Sequence, residues 1–144
     1  MGLDMYLEGR KYLWNNWKNP ENDLKEDGFR LKEKILELGY WRKEPNLHGY
    51  IVEKFADGKD ECQDIELGEE DMLDIISAVR ERRLPETRGF FFGANADPNS
   101  EDPQEREWAL QFERETIATF EAAIAWIKAR GDMETRYVVY RASW

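Results

Sequence analysis

Cysteine occurs once, at Cys62, and histidine once, at His48, in a chain of 144 residues. No internal disulfide can form, and a zinc site has too few thiolates and imidazoles to build on. No apolar run approaches the roughly 20 residues of a membrane span. The first residues lack the basic region and cleavage site of a secretory signal. Gly2 follows Met1, but Tyr6 stands where a myristoylation signal needs Ser or Thr. A cytoplasmic protein without membrane attachment is the expectation. Cations are also scarce: 21 Lys and Arg against 31 Asp and Glu leave a formal charge of −10. That field repels phosphate backbones and anionic lipid, so neither general nucleic-acid binding nor membrane binding is expected. It suits a basic partner, as a mimic of DNA's charge also would.

Core material is plentiful. Apolar residues make up 41% of the chain and aromatics 13%, with 6 Trp, 6 Tyr and 7 Phe. A disordered chain carries far less, and the length suits one domain, read here as 1–144. No repeat or low-complexity stretch interrupts it. Dense aromatics fit a homo-oligomer interface as well as a core, so the oligomeric state stays open.

Residues 3–8 alternate, with Leu3, Met5 and Leu7 on one side and Asp4, Tyr6 and Glu8 on the other, which predicts a half-buried strand. Residues 15–23 read as a loop. Residues 29–38 read as a helix with Phe29, Ile35, Leu36 and Leu38 on its apolar side and Gly39 as its stop. Pro45 opens a second helix running to about Phe55, and Asp57-Gly58 makes a turn. A short strand is expected at 63–67. Residues 69–83 are amphipathic through Met72, Ile75, Ile76 and Val79, with acids at the start and arginines at the end. The longest helix covers about 103–130, with Trp108, Phe112, Phe120, Ile124 and Ile127 as its buried stripe. Residues 137–144 form a closing strand. The class is α+β: about four helices packed on a small antiparallel or mixed sheet that contains the N- and C-terminal strands.

Catalytic patterns are missing. Residues 97–102 begin like a calcium loop, but its sixth position is Asp102 and its twelfth Trp108. Ser77, Ser100 and Ser143 lack a nucleophile-elbow context. Acidic neighbours disfavour a thiolate at Cys62, which is expected to be buried and inert. There is no Walker loop, and Gly89 with Gly93 is no dinucleotide fingerprint. No metal or cofactor is expected, and binding is favoured over catalysis.

One stretch differs in kind: Gly39-Tyr40-Trp41-Arg42-Lys43-Glu44-Pro45-Asn46-Leu47-His48. It is expected to join two helices and to place two cations before a helix N-terminus, where free N–H groups favour anions. Arg42 grips a phosphate or carboxylate, Lys43 adds a point charge, and Tyr40 and Trp41 stack on a base. His48 offers a hydrogen bond one turn later. The simpler reading makes Tyr40 and Trp41 core, pairs the cations with nearby acids and packs or caps with His48. Arg88, beside Phe90-Phe91-Phe92, is a second candidate anion contact. Arg141 is a third, if it shares a strand face with Tyr137, Val139 and Ser143 and looks toward Asp4 and Tyr6.

In these features the chain resembles a family of small bacteriophage and prophage proteins. The resemblance rests on Met1-Gly2-Leu3-Asp4-Met5-Tyr6-Leu7, Gly39-Tyr40-Trp41-Arg42-Lys43, His48 and Asp60-Glu61-Cys62. It extends to Leu84-Pro85, Gly89-Phe90-Phe91-Phe92-Gly93 and the Ser143-Trp144 ending. It implies a place in the host cytoplasm and a lifestyle in which small acidic proteins bind and disable host components. The leading expectation is a non-catalytic counter-defence factor that binds a small anionic, nucleotide-like ligand through Tyr40, Trp41, Arg42, Lys43 and His48, with Arg88 and Arg141. The alternatives are an acidic inhibitor or DNA mimic that grips a host protein, and a phosphate-ester or nucleotide-acting enzyme using His48.

Overall fold

A computed structural model describes residues 2–89 and 91–144. The long strands are β1 (Asp4–Leu13), β4 (Glu33–Arg42) and β6 (Glu134–Ser143). With the short β5 (Ile65–Leu67) they make one antiparallel sheet in the order β4-β1-β6-β5. The mixed sheet held open by the sequence is thereby excluded. A small ribbon of β2 (Lys25–Glu26) and β3 (Phe29–Arg30) turns at Asp27-Gly28, both with positive φ, the geometry such a tight turn requires.

Three α-helices, not four, cover one face among the described residues: α1 (Pro45–Phe55), α2 (Glu69–Arg80) and α3 (Pro103–Lys128). Each starts for a local reason. Pro45 takes the first turn of α1, where a missing N–H costs nothing. The Gly68 N–H donates to Asp71 Oδ2 at 2.8 Å ahead of α2. Asp102 caps α3 by accepting from the Gln104 N–H at 2.9 Å.

The strand period sorts the two faces. Leu3, Met5 and Leu7 are fully buried under the helices, beside Trp41 on β4 and Val138, Tyr140 and Ala142 on β6. Leu47 and Ile51 of α1, Met72 and Ile75 of α2, and Phe120 and Ala123 of α3 close over them. Each large side chain so buried contributes about 1.5–3 kcal/mol.

The helix expected over 29–38 is instead the end of the ribbon and the start of β4. Phe29 is 77% exposed and Ile35 58% exposed, so no apolar helix face is buried there. Hydrogen bonding to β1 along nearly the whole of β4 outweighs the helix propensity of Glu33-Lys34-Ile35-Leu36-Glu37. A bulge opposite Leu7 and Glu8 leaves Leu38 out of register. Gly39, expected to stop a helix, lies mid-strand where α3 crosses. A Cβ there would sit 2.5 Å from Thr119 Cγ2 and 3.0 Å from the Trp41 ring. Other boundaries move less: α2 ends at Arg80 rather than residue 83, and β6 starts three residues early. Trp108, assigned to the buried stripe of α3, is 56% exposed, whereas Phe120 and Ile124 are buried as expected.

Gly39→Val should force β4 and α3 apart. Chemical denaturation is expected to show a loss of about 1–3 kcal/mol; an unchanged midpoint would mean that the strand–helix contact is looser than this packing.

Candidate functional site

The stretch from Gly39 to His48 connects β4 to α1, rather than joining two helices. Lys43 leaves the strand with φ of 55°, while its N–H still donates to the Leu3 carbonyl at 2.8 Å. Upstream, strand alternation divides the side chains. Trp41 turns inward, donates from Nε1 to Thr116 Oγ1 at 2.9 Å and stacks on Phe120 with ring centres 5.6 Å apart. It anchors β4 to α3 and, at 8% exposure, is core rather than a stacking surface. Tyr40 and Arg42 turn to the helix-free face, where both donate to Asp4 Oδ1, at 2.6 and 2.8 Å. The Tyr40 hydroxyl and the Arg42 guanidinium hold the Asp4 carboxyl below its ordinary range. Lys43 is exposed and has no ion pair among the described residues.

His48 is 1% exposed and belongs to a chain of polar groups that runs from buried Tyr140 out to exposed Trp144. Its Nε2 lies 2.9 Å from Asp60 Oδ2, and Nδ1 lies 2.6 Å from the Tyr140 hydroxyl. A carboxylate only accepts, so Nε2 donates to Asp60, and in the neutral ring Nδ1 then accepts from Tyr140. Burial, with the Asp60 charge behind it, pushes the Tyr140 phenol well above its ordinary range and keeps it a donor. Trp144 Nε1 donates to the other Asp60 oxygen at 3.1 Å, and Phe92 packs edge-on against the imidazole. Both ring nitrogens are thus engaged in tying α1 to β6 and to the loop after α1. Tyr140→Phe removes the donor to Nδ1 and is expected to cost about 1–3 kcal/mol in denaturation experiments. Full stability would show that water or another group satisfies the ring.

The remaining candidates lie apart. Arg88 pairs with Glu86 at 2.7 Å on an open recess of about 740 Å³ beside Pro45 and Gly93. Arg141 reaches Glu8 at 3.5 Å. The register does set Arg141 on one face with Tyr137, Val139, Ser143, Asp4 and Tyr6. Tyr40, Tyr6 and Arg141 form a single cross-strand row, with the two phenol rings 5.3 Å apart. Of the seven candidate residues, Tyr40, Arg42 and Arg141 therefore share the helix-free face, Trp41 and His48 serve the core, and Lys43 and Arg88 sit on loops. Phe90 lies outside the described residues. Cys62, expected to be buried, is exposed. Among the described residues no group of three or more His, Cys, Asp or Glu is placed to hold a metal.

A second set of residues lines a cleft. A cleft of about 290 Å³ runs between the end of β4 and α3, with Tyr40, Arg42 and Glu44 on one wall and Trp108, Phe112 and Glu115 on the other. Glu44 occupies the residue before α1 without capping it. Asn95 does that work: its Oδ1 accepts from the Asn46 N–H at 2.9 Å, and its amide nitrogen donates to Glu44. The helix start at which an anion was expected thus carries a carboxyl group and a side-chain amide. Burial pushes the Glu44 carboxyl up to about 7. Perturbed carboxyls in clefts mark candidate sites. Sequence reasoning passed over Glu44 because acids are so common in this chain, and over Trp108 because its spacing fits a core stripe.

No family model, curated protein or solved structure matches the chain.

The raised Glu44 value fixes the sign of a pH effect. Below pH 4.5 both folded and unfolded chains hold the proton. As pH rises from 4.5 to about 7 the unfolded chain releases it first, so the folded state loses up to about 3 kcal/mol. Glu44→Gln should remove that loss and be the more stable protein at pH 8, with the difference shrinking toward pH 4.5. Parallel stability profiles would contradict this account.

Proposed function

We propose that the protein is a non-catalytic binding protein that acts by gripping another polypeptide, as an inhibitor does. One observation carries this reading: the cleft between β4 and α3 sets carboxyls beside exposed aromatics. Glu44 and Glu115 line it with Trp108, and the guanidinium of Arg42 is turned to Asp4 on the helix-free face. Such a lining disfavours a free phosphate and favours a partner that brings its own cations. The net charge of −10 acts in the same direction over longer range. The resemblance to phage and prophage proteins supports a host protein as the target and a counter-defence role, by analogy of lifestyle.

A second reading keeps a small nucleotide-like ligand and rests on the row of Tyr40, Tyr6 and Arg141. Two neighbouring phenol rings offer a stacking platform, with Arg42 and Arg141 flanking it on the same face. Native mass spectrometry of protein purified from a bacterial host separates the two. The first reading expects a complex with a basic polypeptide that dissociates near 1 M salt, where screening acts over about 3 Å. A bound mass of a few hundred daltons, lost in Arg42→Ala, would overturn it in favour of the second.

A further inference from the structure

β4 is an edge of the sheet: β1 pairs with one side of it and no described strand with the other. The Lys43 N–H bonds to Leu3, so alternation points the Trp41 backbone at β1 as well and turns the N–H and C=O of Tyr40 and Arg42 outward. Among the described residues nothing pairs with those outward groups. They lie on the side of β4 away from β1, and the cleft already described takes its strand-side lining from β4 and Glu44, with none from β1. At one end α3 closes the cleft where Thr119 meets Gly39. At the other stands the exposed indole of Trp108.

An unpaired strand edge running beside a helix is the arrangement by which small domains capture an extended peptide as an added strand. The earlier part of the edge is protected. Glu33, Lys34 and Glu37 place charges along it, and the bulge at Leu38 interrupts it. That protection ends at Gly39, leaving about 10 Å of strand from Tyr40 to Arg42.

We infer that this edge binds an extended, lysine- or arginine-bearing segment of another protein by strand addition between β4 and α3. The inference rests on the polypeptide-binding reading above and names its place and mode. Main-chain bonds to Tyr40 and Arg42 hold the segment. Side chains on one of its faces lie against Phe112 and Trp108, where an aliphatic stem packs and a cationic head meets Glu44 and Glu115. A second copy of this chain is the poorer occupant, because it brings another −10 of charge to the same groove.

The probes are a blocked peptide of sequence Lys-Thr-Lys-Val-Lys, its counterpart with Glu at the three Lys positions, and a Lys peptide N-methylated at alternate residues. Amide exchange and chemical shifts of the full chain are followed by NMR. The Lys peptide is expected to slow exchange at the Tyr40 and Arg42 amides at least tenfold and to move the Trp108 indole signal. The Glu and N-methylated peptides should bind at least tenfold more weakly, and Trp108→Ala should weaken the Lys peptide similarly. Equal binding of the Lys and Glu peptides would overturn the inference, as would shifts confined to Tyr6 and Arg141. So would slow exchange at Tyr40 and Arg42 in the free protein together with a dimeric mass, which would assign the edge to a second copy. If a host complex forms and survives Trp108→Ala, strand addition at β4 fails while polypeptide binding stands. If none forms, the broader reading fails with it.

Discussion

The structure depends on β1 being hydrogen-bonded along both of its sides. β4 lies against one side and β6 against the other, in long antiparallel registers that bring the two ends of the chain and its early middle together. Everything else uses that three-strand plank. Its buried side, from Leu3 to Leu7, is the surface on which the helices condense. Its other side carries the row of Tyr40, Tyr6 and Arg141. The plank also creates the free edge, because a sheet that places β1 in the middle leaves β4 outside.

Legibility in the sequence followed the range of the forces involved. Pro45, the acids opening α2 and Pro103 act within one turn, and those helices are read from the sequence close to their true bounds. The alternation of Leu3, Met5 and Leu7 disclosed β1 for the same reason. Residues 33–38 were misread because Glu, Lys, Ile and Leu sit equally well on a helix, and their fate was decided by β1, which is distant in the chain. A local warning did exist: Asp27-Gly28 is a hairpin signal just ahead of the supposed helix. At the candidate site, strand alternation allowed Arg141 to be grouped with Tyr6 and Asp4. Spacing said nothing of Glu44, whose character comes from burial, or of Trp108, whose exposure comes from where α3 meets the edge of the sheet.

Charge in this protein is balanced locally and unbalanced globally. On the helix-free face the guanidinium groups each have a carboxylate: Arg42 with Asp4, Arg10 with Asp64 and Glu8, Arg141 with Glu8. The more exposed of these, such as Arg42 with Asp4, add little stability, but together the pairs leave little unmet positive charge to draw an anion. The surplus of acids is spread elsewhere, and Glu44 stands out because burial without a cationic partner raises its carboxyl.

The antiparallel neighbours β1 and β6 come from opposite ends of the chain, with Asp4 set against Ser143. During synthesis β1 can pair with β4 within a few tens of residues, whereas its other side stays open until the much later β6 is made. Such long-range pairing makes for slow, late closure and leaves a strand edge exposed while it waits. Until β6 arrives, Met5 and Leu7 lack their cover on that side, and the nascent sheet has two sticky borders where the finished one keeps β4 as its long free border.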